Sequence, residues 1–244
     1  MLTKNQIKLI NSLSQKKSRN QHQLFVVEGI KGIDEFLNSS FELQHLYSTD
    51  EKFHADNGKY TIISQSDLKR ISNLTSPNSA LALFRIPSTP SIDISQLIVA
   101  LDDVRDPGNL GTIIRLCDWF GVQHLICSNA TVDCYNPKVV QATMGSLTRV
   151  SIHYLDLSDF LKNANAPKFG AFMDGANVYN HILPKDGILV LGNEANGISS
   201  EIESLIDKKI SIPRFGTLKS TESLNVATAA AILLSEFSRR TTET

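Results

Sequence analysis

Cysteine is scarce in this chain. Cys117, Cys127 and Cys134 are the only three in 244 residues, and no two show CxxC spacing. That excludes a disulfide scaffold and a zinc knuckle, and it predicts free thiols in a reducing cytoplasm with no metal site. Long apolar runs are also missing. None approaches the ~18 residues of a membrane-spanning helix, and the opening MLTKNQIKLINSLSQKKSRNQ holds no signal-peptide core. Glycine and proline are sparse, at 13 and 8 residues, and follow no period, which excludes collagen-like and low-complexity chains. No G-x-G-x-x-G follows any apolar strand, so a dinucleotide-binding dehydrogenase is a poor reading.

What remains is ordinary for a globular protein: 41% hydrophobic and 20% charged residues. The length allows one large domain or two small ones. A net charge of −1 hides an asymmetry. Residues 1–90 carry 11 Lys/Arg against 8 Asp/Glu, and residues 91–244 carry 13 against 17. The first twenty residues hold Lys4, Lys8, Lys16, Lys17 and Arg19 and no acid. Such a segment is either a solvated helix face or a polyanion-binding surface.

Periodicity divides the chain. Ile7, Ile10 and Leu13 recur at helical spacing within 3–14. QLFVVEG reads as a strand, 30–38 as a helix, HLYST and YTIIS as strands, SDLKRIS as a helical turn and ALALFRI as a strand. IPSTPSIDIS then interrupts the apolar pattern with two prolines and three serines, the best linker. Beyond it, LIVALDDV, HLICS, KFGAFMD, GILVLGNE and KKISIP are apolar segments bounded by turn residues, with a helix at GTIIRLCDWFG and another over about 223–239. Buried strands alternating with helices predict a mostly parallel α/β sheet covered on both faces. The boundaries are a small α/β domain at 1–88, a linker at 89–96 and a larger domain at 97–244.

Three motifs stand out. In DPGNLGTIIR, a proline–glycine turn precedes Asn109, a good helix N-cap, and Arg115 lies one turn beyond Gly111. In LVLGNEANGIS, a strand runs into a loop rich in glycine and asparagine around Gly192 and Glu194, with peptide groups free to read a ligand. In ISIPRFGTLKSTESLNVATAAAILLSEF, Ile212 ends a strand, and Ser223, Leu224 and Asn225 precede a helix whose Ala227, Ala229, Ala230 and Ala231 permit close approach of another helix. Taken singly, each has a purely structural explanation: a capped helix, a connection, a packed terminal helix.

Their order is more specific. NxGxxxR after a strand, LGNExxG about 80 residues on, then IP…SLNV before an Ala-rich helix resembles the SpoU (TrmH-type) branch of the SPOUT RNA methyltransferases, over residues 97–238. SLSQKKSRNQHQLFVVEG is similar to the ribosomal-protein-like RNA-binding module often fused before it. The resemblance implies a C-terminal trefoil knot, a homodimer through the closing helix and the helix bearing Arg115, and transfer of a methyl group from S-adenosylmethionine to a ribose 2′-hydroxyl of RNA, ribosomal before transfer RNA, without a metal. It implies that Gly192, Ile212 and Leu224 cradle the donor, with Thr143, Met144 and Gly145 of QATMGS nearby. Arg115 would carry the chemistry, with Asn109, Glu194, Ser223 and Asn225 orienting it and the ribose. Lys16, Lys17 and Arg19 would contact phosphates. The family assigns Arg115 the role of base, but arginine ordinarily stays protonated, so holding a phosphate and the forming alkoxide is the other role open to it. RFGTLKSTE, between Pro213 and Ser223, is longer than the family's usual connection, and its Arg214 and Lys219 are further candidates for RNA contact. The contrasting reading is a non-catalytic RNA-binding relative acting in ribosome assembly.

Overall fold

A computed structural model of the protein describes residues 2–53, 58–77, 79–216 and 223–239. Lys219 lies outside the described residues. The chain forms two compact units. One comprises residues 1–88 and 133–148, the other 89–132 and 149–244.

In the first unit, α1 (Lys4–Ser12) starts at a capping box: the Thr3 hydroxyl accepts from Gln6 N–H, and the Gln6 side chain accepts from Thr3 N–H. Ile10 and Leu13 are buried in the core. A second helix, α2 (Lys16–His22), has no apolar stripe and was not legible in the sequence. Then come β1 (Leu24–Glu28), α3 (Ile30–Leu37), β2 (Leu43–Ser48), β3 (Tyr60–Ile62), α4 (Gln65–Ile71) and β4 (Ala80–Arg85). The strands form one sheet in the order β1-β4-β2-β3, antiparallel except between β2 and β3.

Arg19 is the basic residue that the structure takes away from the surface. It is 2% exposed, and its guanidinium donates to the carbonyls of Leu13 (2.8 Å) and Ser14 (2.9 Å) and to the Asp133 carboxylate. It ties the end of α1 to residue 133, and a group so committed has no face left for a phosphate. The neighbouring Lys16 and Lys17 are exposed.

The second unit opens with β5 (Leu97–Leu101), α5 (Pro107–Trp119) and β6 (His124–Ser128). Helix α6 (Pro137–Thr143) belongs to the first unit, where Tyr135 packs its ring 4.7 Å from that of Phe25. The chain continues through β7 (Ser151–Leu155), α7 (Leu157–Asn163), β8 (Lys168–Asn177), β9 (Gly187–Leu191), α8 (Ser200–Glu203), β10 (Lys208–Ser211) and α9 (Val226–Ser238). Six strands form a wholly parallel sheet in the order β10-β8-β9-β5-β6-β7. The central strands β5 and β9 are buried almost end to end, as strands covered on both faces must be. Ile98, Ala100, Ile188 and Val190 pack with Leu157, Leu161 and Ile202 on one face. Alternation sends Phe169 and Leu189 to the other face, where Phe237 of α9 meets Phe169 edge-on at 5.3 Å.

The start of α5 differs from expectation. Asp106, not Asn109, is the N-cap: its carboxylate accepts from Asn109 N–H at 2.8 Å, and Pro107 occupies the first helical position, where its missing N–H costs nothing. That places Asn109 in the first turn with its side chain free for another purpose.

Candidate functional site

Glu194 is the hub. Its carboxylate accepts from Asn109 Nδ2 at 2.9 Å and, at longer range, from the backbone N–H groups of Asp106 (3.4 Å) and Arg105 (3.5 Å). Asn109 Oδ1 accepts in turn from Asn225 Nδ2 at 2.8 Å. Asn225 is the N-cap of α9, with Oδ1 accepting from Ala227 N–H (2.9 Å) and Thr228 N–H (3.2 Å). The N-termini of α5 and α9 are therefore joined by two asparagines, and a carboxylate sits at the positive end of α5, where a helix dipole favours it.

The loop carrying Glu194 is closed on itself. Asn193 and Gly197 exchange two backbone hydrogen bonds of 2.9 Å. Gly192 lies so close to the returning strand that a β-carbon there would stand 2.1 Å from the Gly197 carbonyl carbon. Only glycine fits. Two aspartates unnoticed in the sequence hold the loop from outside: the Asp102 carboxylate accepts from Ser199 N–H (2.7 Å), and the Asp103 carbonyl accepts from Asn193 Nδ2 (2.6 Å). Asp103 has φ = 60°, which aims that carbonyl, and its carboxylate binds the Arg105 guanidinium at 2.7 and 2.8 Å and raises its pKa. A pair of acids directly after a buried apolar strand was the available signal.

Beside this network is a pocket of about 1000 Å³. It lies beyond the carboxyl ends of β9 and β10, where open parallel sheets bind ligands. Gly192, Ile212 and Leu224 line it, as do Glu194, Ser223 and Asn225. Leu191, Ile198, Val226 and Leu233 give it an apolar floor. Asp174, Glu194 and Glu203 set three carboxylates around it against Arg214, with Glu203 ion-paired to Lys209. Residues 171–174 of β8, including Phe172 and Met173, complete a wall that no motif announced. A donor with an aromatic base and a sulfonium cation fits such a cavity: the size is at the top of the roughly 300–1,000 Å³ of small-molecule sites, the floor is apolar and the rim is acidic. No cluster of three or more metal-ligating side chains occurs among the described residues.

The other sequence candidates lie elsewhere. Arg115 is exposed on α5, does not line the pocket and makes no hydrogen bond or ion pair among the described residues. Trp119, four residues on and on the same helix face, is 84% exposed. Thr143, Met144 and Gly145 belong to the first unit. Met144 (φ = 52°) and Gly145 (φ = 95°) are both left-handed, and a β-carbon at Gly145 would stand 2.6 Å from Glu35 Cγ. Glycine is thus required there by packing within that unit.

Two family models match the chain. Residues 96–235 match the SpoU rRNA Methylase family, and residues 4–82 match the MRM3-like substrate binding domain. The chain is 27% identical over 95% of both sequences to the 23S rRNA (guanosine(2553)-2′-O)-methyltransferase RlmP of Bacillus subtilis. Among solved structures, a TrmH-family protein from Porphyromonas gingivalis superposes with a TM-score of 0.90 at 40% identity, over 98% of this chain and 99% of that one. The AdoMet-bound rRNA methyltransferase of Sinorhizobium meliloti superposes with a TM-score of 0.86 at 30% identity, over 100% and 97%. With its family match spanning the parallel-sheet unit, the Glu194 network and the pocket, the chain belongs to the SpoU rRNA methylase family.

Proposed function

We propose that this protein methylates a ribose 2′-hydroxyl of RNA, ribosomal before transfer RNA, with S-adenosylmethionine as donor. The observation that carries the reading is the Glu194–Asn109–Asn225 chain of hydrogen bonds beside a donor-sized pocket. A merely structural loop needs no such pocket, and a binding protein needs no such network beside one.

The donor supplies an activated methyl group on a sulfonium. The reaction forms a ribose O–CH₃ bond, breaks the C–S bond with its electron pair passing to sulfur, and gives up the hydroxyl proton to solvent water. Placement in line provides much of the acceleration. Gly192, Ile212 and Leu224 hold the donor by backbone groups and packing, and Ser223 and Asn225 lie where the ribose must come. Arg115 neutralises the adjacent phosphate and the growing charge on the attacking oxygen. Because Arg115 lies off the pocket of its own chain, this role goes with a homodimer built on α5 and α9, in which a second copy covers Trp119. Lys16 and Lys17 supply phosphate contacts. Cys117, Cys127 and Cys134 are buried and form no disulfide, in keeping with a cytoplasmic setting. The trefoil knot belongs to the same reading: pulled from residues 97 and 244, a knotted domain stays short of the ~3.3–3.6 Å per residue of an open chain.

The test is a ribose-methylation map of total RNA with and without the gene, together with calorimetry of the donor. Loss of one or more 2′-O-methyl marks and saturable donor binding are expected. No binding at millimolar donor, with an unchanged map, leaves the assembly-factor reading.

A further inference from the structure

Two aromatic rings are exposed at the edge of the pocket. Phe215 follows Arg214, a pocket-lining residue, and is 84% exposed. Tyr179 is 38% exposed, and its ring lies 6.5 Å from that of Phe215 and 28° from parallel. Tyr179 is firmly mounted: it sits in a 3-10 turn (Val178–Asn180) whose Val178 is fully buried, and its N–H donates to Asn177 Oδ1 at 3.0 Å. Phe215 continues the chain from the pocket-lining Ile212, Pro213 and Arg214. A phenylalanine so exposed gains nothing for folding. Exposed, near-parallel rings, one of them next in the chain to the cationic Arg214, suit a flat aromatic group attached to a phosphate.

We infer that Tyr179 and Phe215 form a base-stacking platform that receives an unpaired nucleobase of the substrate RNA beside the donor pocket. The inference rests on the methyltransferase reading for its ligand. Its chemistry follows from stacking itself, which is sequence-tolerant because every base has a π-face. The backbone of the stacked nucleotide then passes Arg214, which matches its charge. The platform sets affinity and geometry, not the transfer step.

The probe is a fluorescein-labelled single-stranded oligoadenylate of about twelve nucleotides, within the range of single-strand site sizes, with an RNA duplex of similar length as control. Binding is followed by anisotropy with donor present. Phe215→Ala and Tyr179→Ala should each weaken single-strand binding about five- to a hundredfold, the range for one lost base stack, and leave duplex binding unchanged. Phe215→Leu should behave like the alanine variant, and Phe215→Trp and Tyr179→Phe should retain affinity. Donor affinity by calorimetry and the sedimentation coefficient should match wild type throughout. Unchanged single-strand affinity in both alanine variants overturns the platform. So does full affinity in Phe215→Leu, which makes the contact simply apolar. A fall in donor affinity assigns the rings to the donor, and a shift to monomer assigns them to a second copy of the chain. Wild-type methyl transfer is measured separately, so a protein that stacks RNA but transfers nothing fails the enzyme reading and keeps this one.

Discussion

Glu194 accepts from one asparagine side chain and two backbone donors, so its removal orphans several groups at once. Glu194→Ala should lower methyl transfer by a factor of roughly a hundred, the scale of losing one positioned electrostatic group, with little change in melting temperature because the carboxylate is exposed. Single-turnover kinetics beside a thermal melt checks this; near-normal turnover would make the network a mere helix tie. Arg115 poses the complementary case. Arg115→Ala and Arg115→Lys should both fold and bind donor normally, yet transfer roughly a hundredfold more slowly, since lysine keeps the charge but not the planar fork. A phosphate-holding arginine leaves the shape of the pH–rate profile unchanged in the lysine variant, whereas a literal base shifts it. Candidates of this kind stood out in the sequence because glycine, asparagine, arginine and glutamate recur at fixed offsets around two loops. Asp106 did not, because an aspartate that caps a helix looks in sequence like any surface acid, and Asp102 and Asp103 were marked only by their place after a buried strand. Arg19 was misread for the same reason, since a count of basic residues does not see the carbonyls that one of them caps.

Among the elements, the central strands declared themselves as apolar runs and the long helices by period, and α2, α6, β7, α7 and α8 did not. Helix α2 is seven residues of polar sequence, and edge strand β7 is only partly buried along its length. Strand β7 is nonetheless joined to β6 by a buried pair, with His124 Nδ1 3.0 Å from His153 Nε2. Burial, and then the neighbouring His124, push the His153 pKa down to about 4. The unfolded chain takes a proton near the ordinary value of 6.5 and the folded one does not until about pH 4. Stability contributed by this group is therefore complete above about pH 6.5 and is lost as pH falls towards 4. Burial lowers His45 as well, so the comparison must be made between variants. Urea unfolding at pH 7.5 and pH 5 should show wild type losing more stability on acidification than His153→Phe. Equal losses would mean that the pair does not titrate as described. Helix α9 carries a second lesson. Its alanines suggested a dimer face, but Ala230 is fully buried inside the monomer, so Ala230→Glu would damage the fold before it tested an interface.

For the whole molecule, the better probe of assembly is Trp119, the single tryptophan, on the same helix as Arg115. Wild type should sediment as twice 26.9 kDa at micromolar concentration. Trp119→Lys should sediment as one copy, fold normally, and lose methyl transfer. A wild-type monomer with full activity would remove the dimer from the mechanism. Replacing Lys16 and Lys17 together should flatten the salt dependence of RNA binding by up to about two units of slope, near one per lost phosphate contact, and leave donor affinity alone. An unchanged slope would make α2 a solvated face. The proline-rich linker suggested a boundary near residue 88, but composition could not show that residues 133–148 join the first unit. That segment is held there by Arg19 on Asp133, Phe25 on Tyr135 and the close fit of Gly145 against Glu35. The chain consequently passes between the units three times, after residues 88, 132 and 148. A gene cut at residue 88 therefore parts residues 133–148 from the unit they join: the front piece lacks the segment that Arg19, Phe25 and Glu35 contact, and the rear piece carries it without those partners. Exchange of the front module by such a cut would leave residues 133–148 facing a foreign partner.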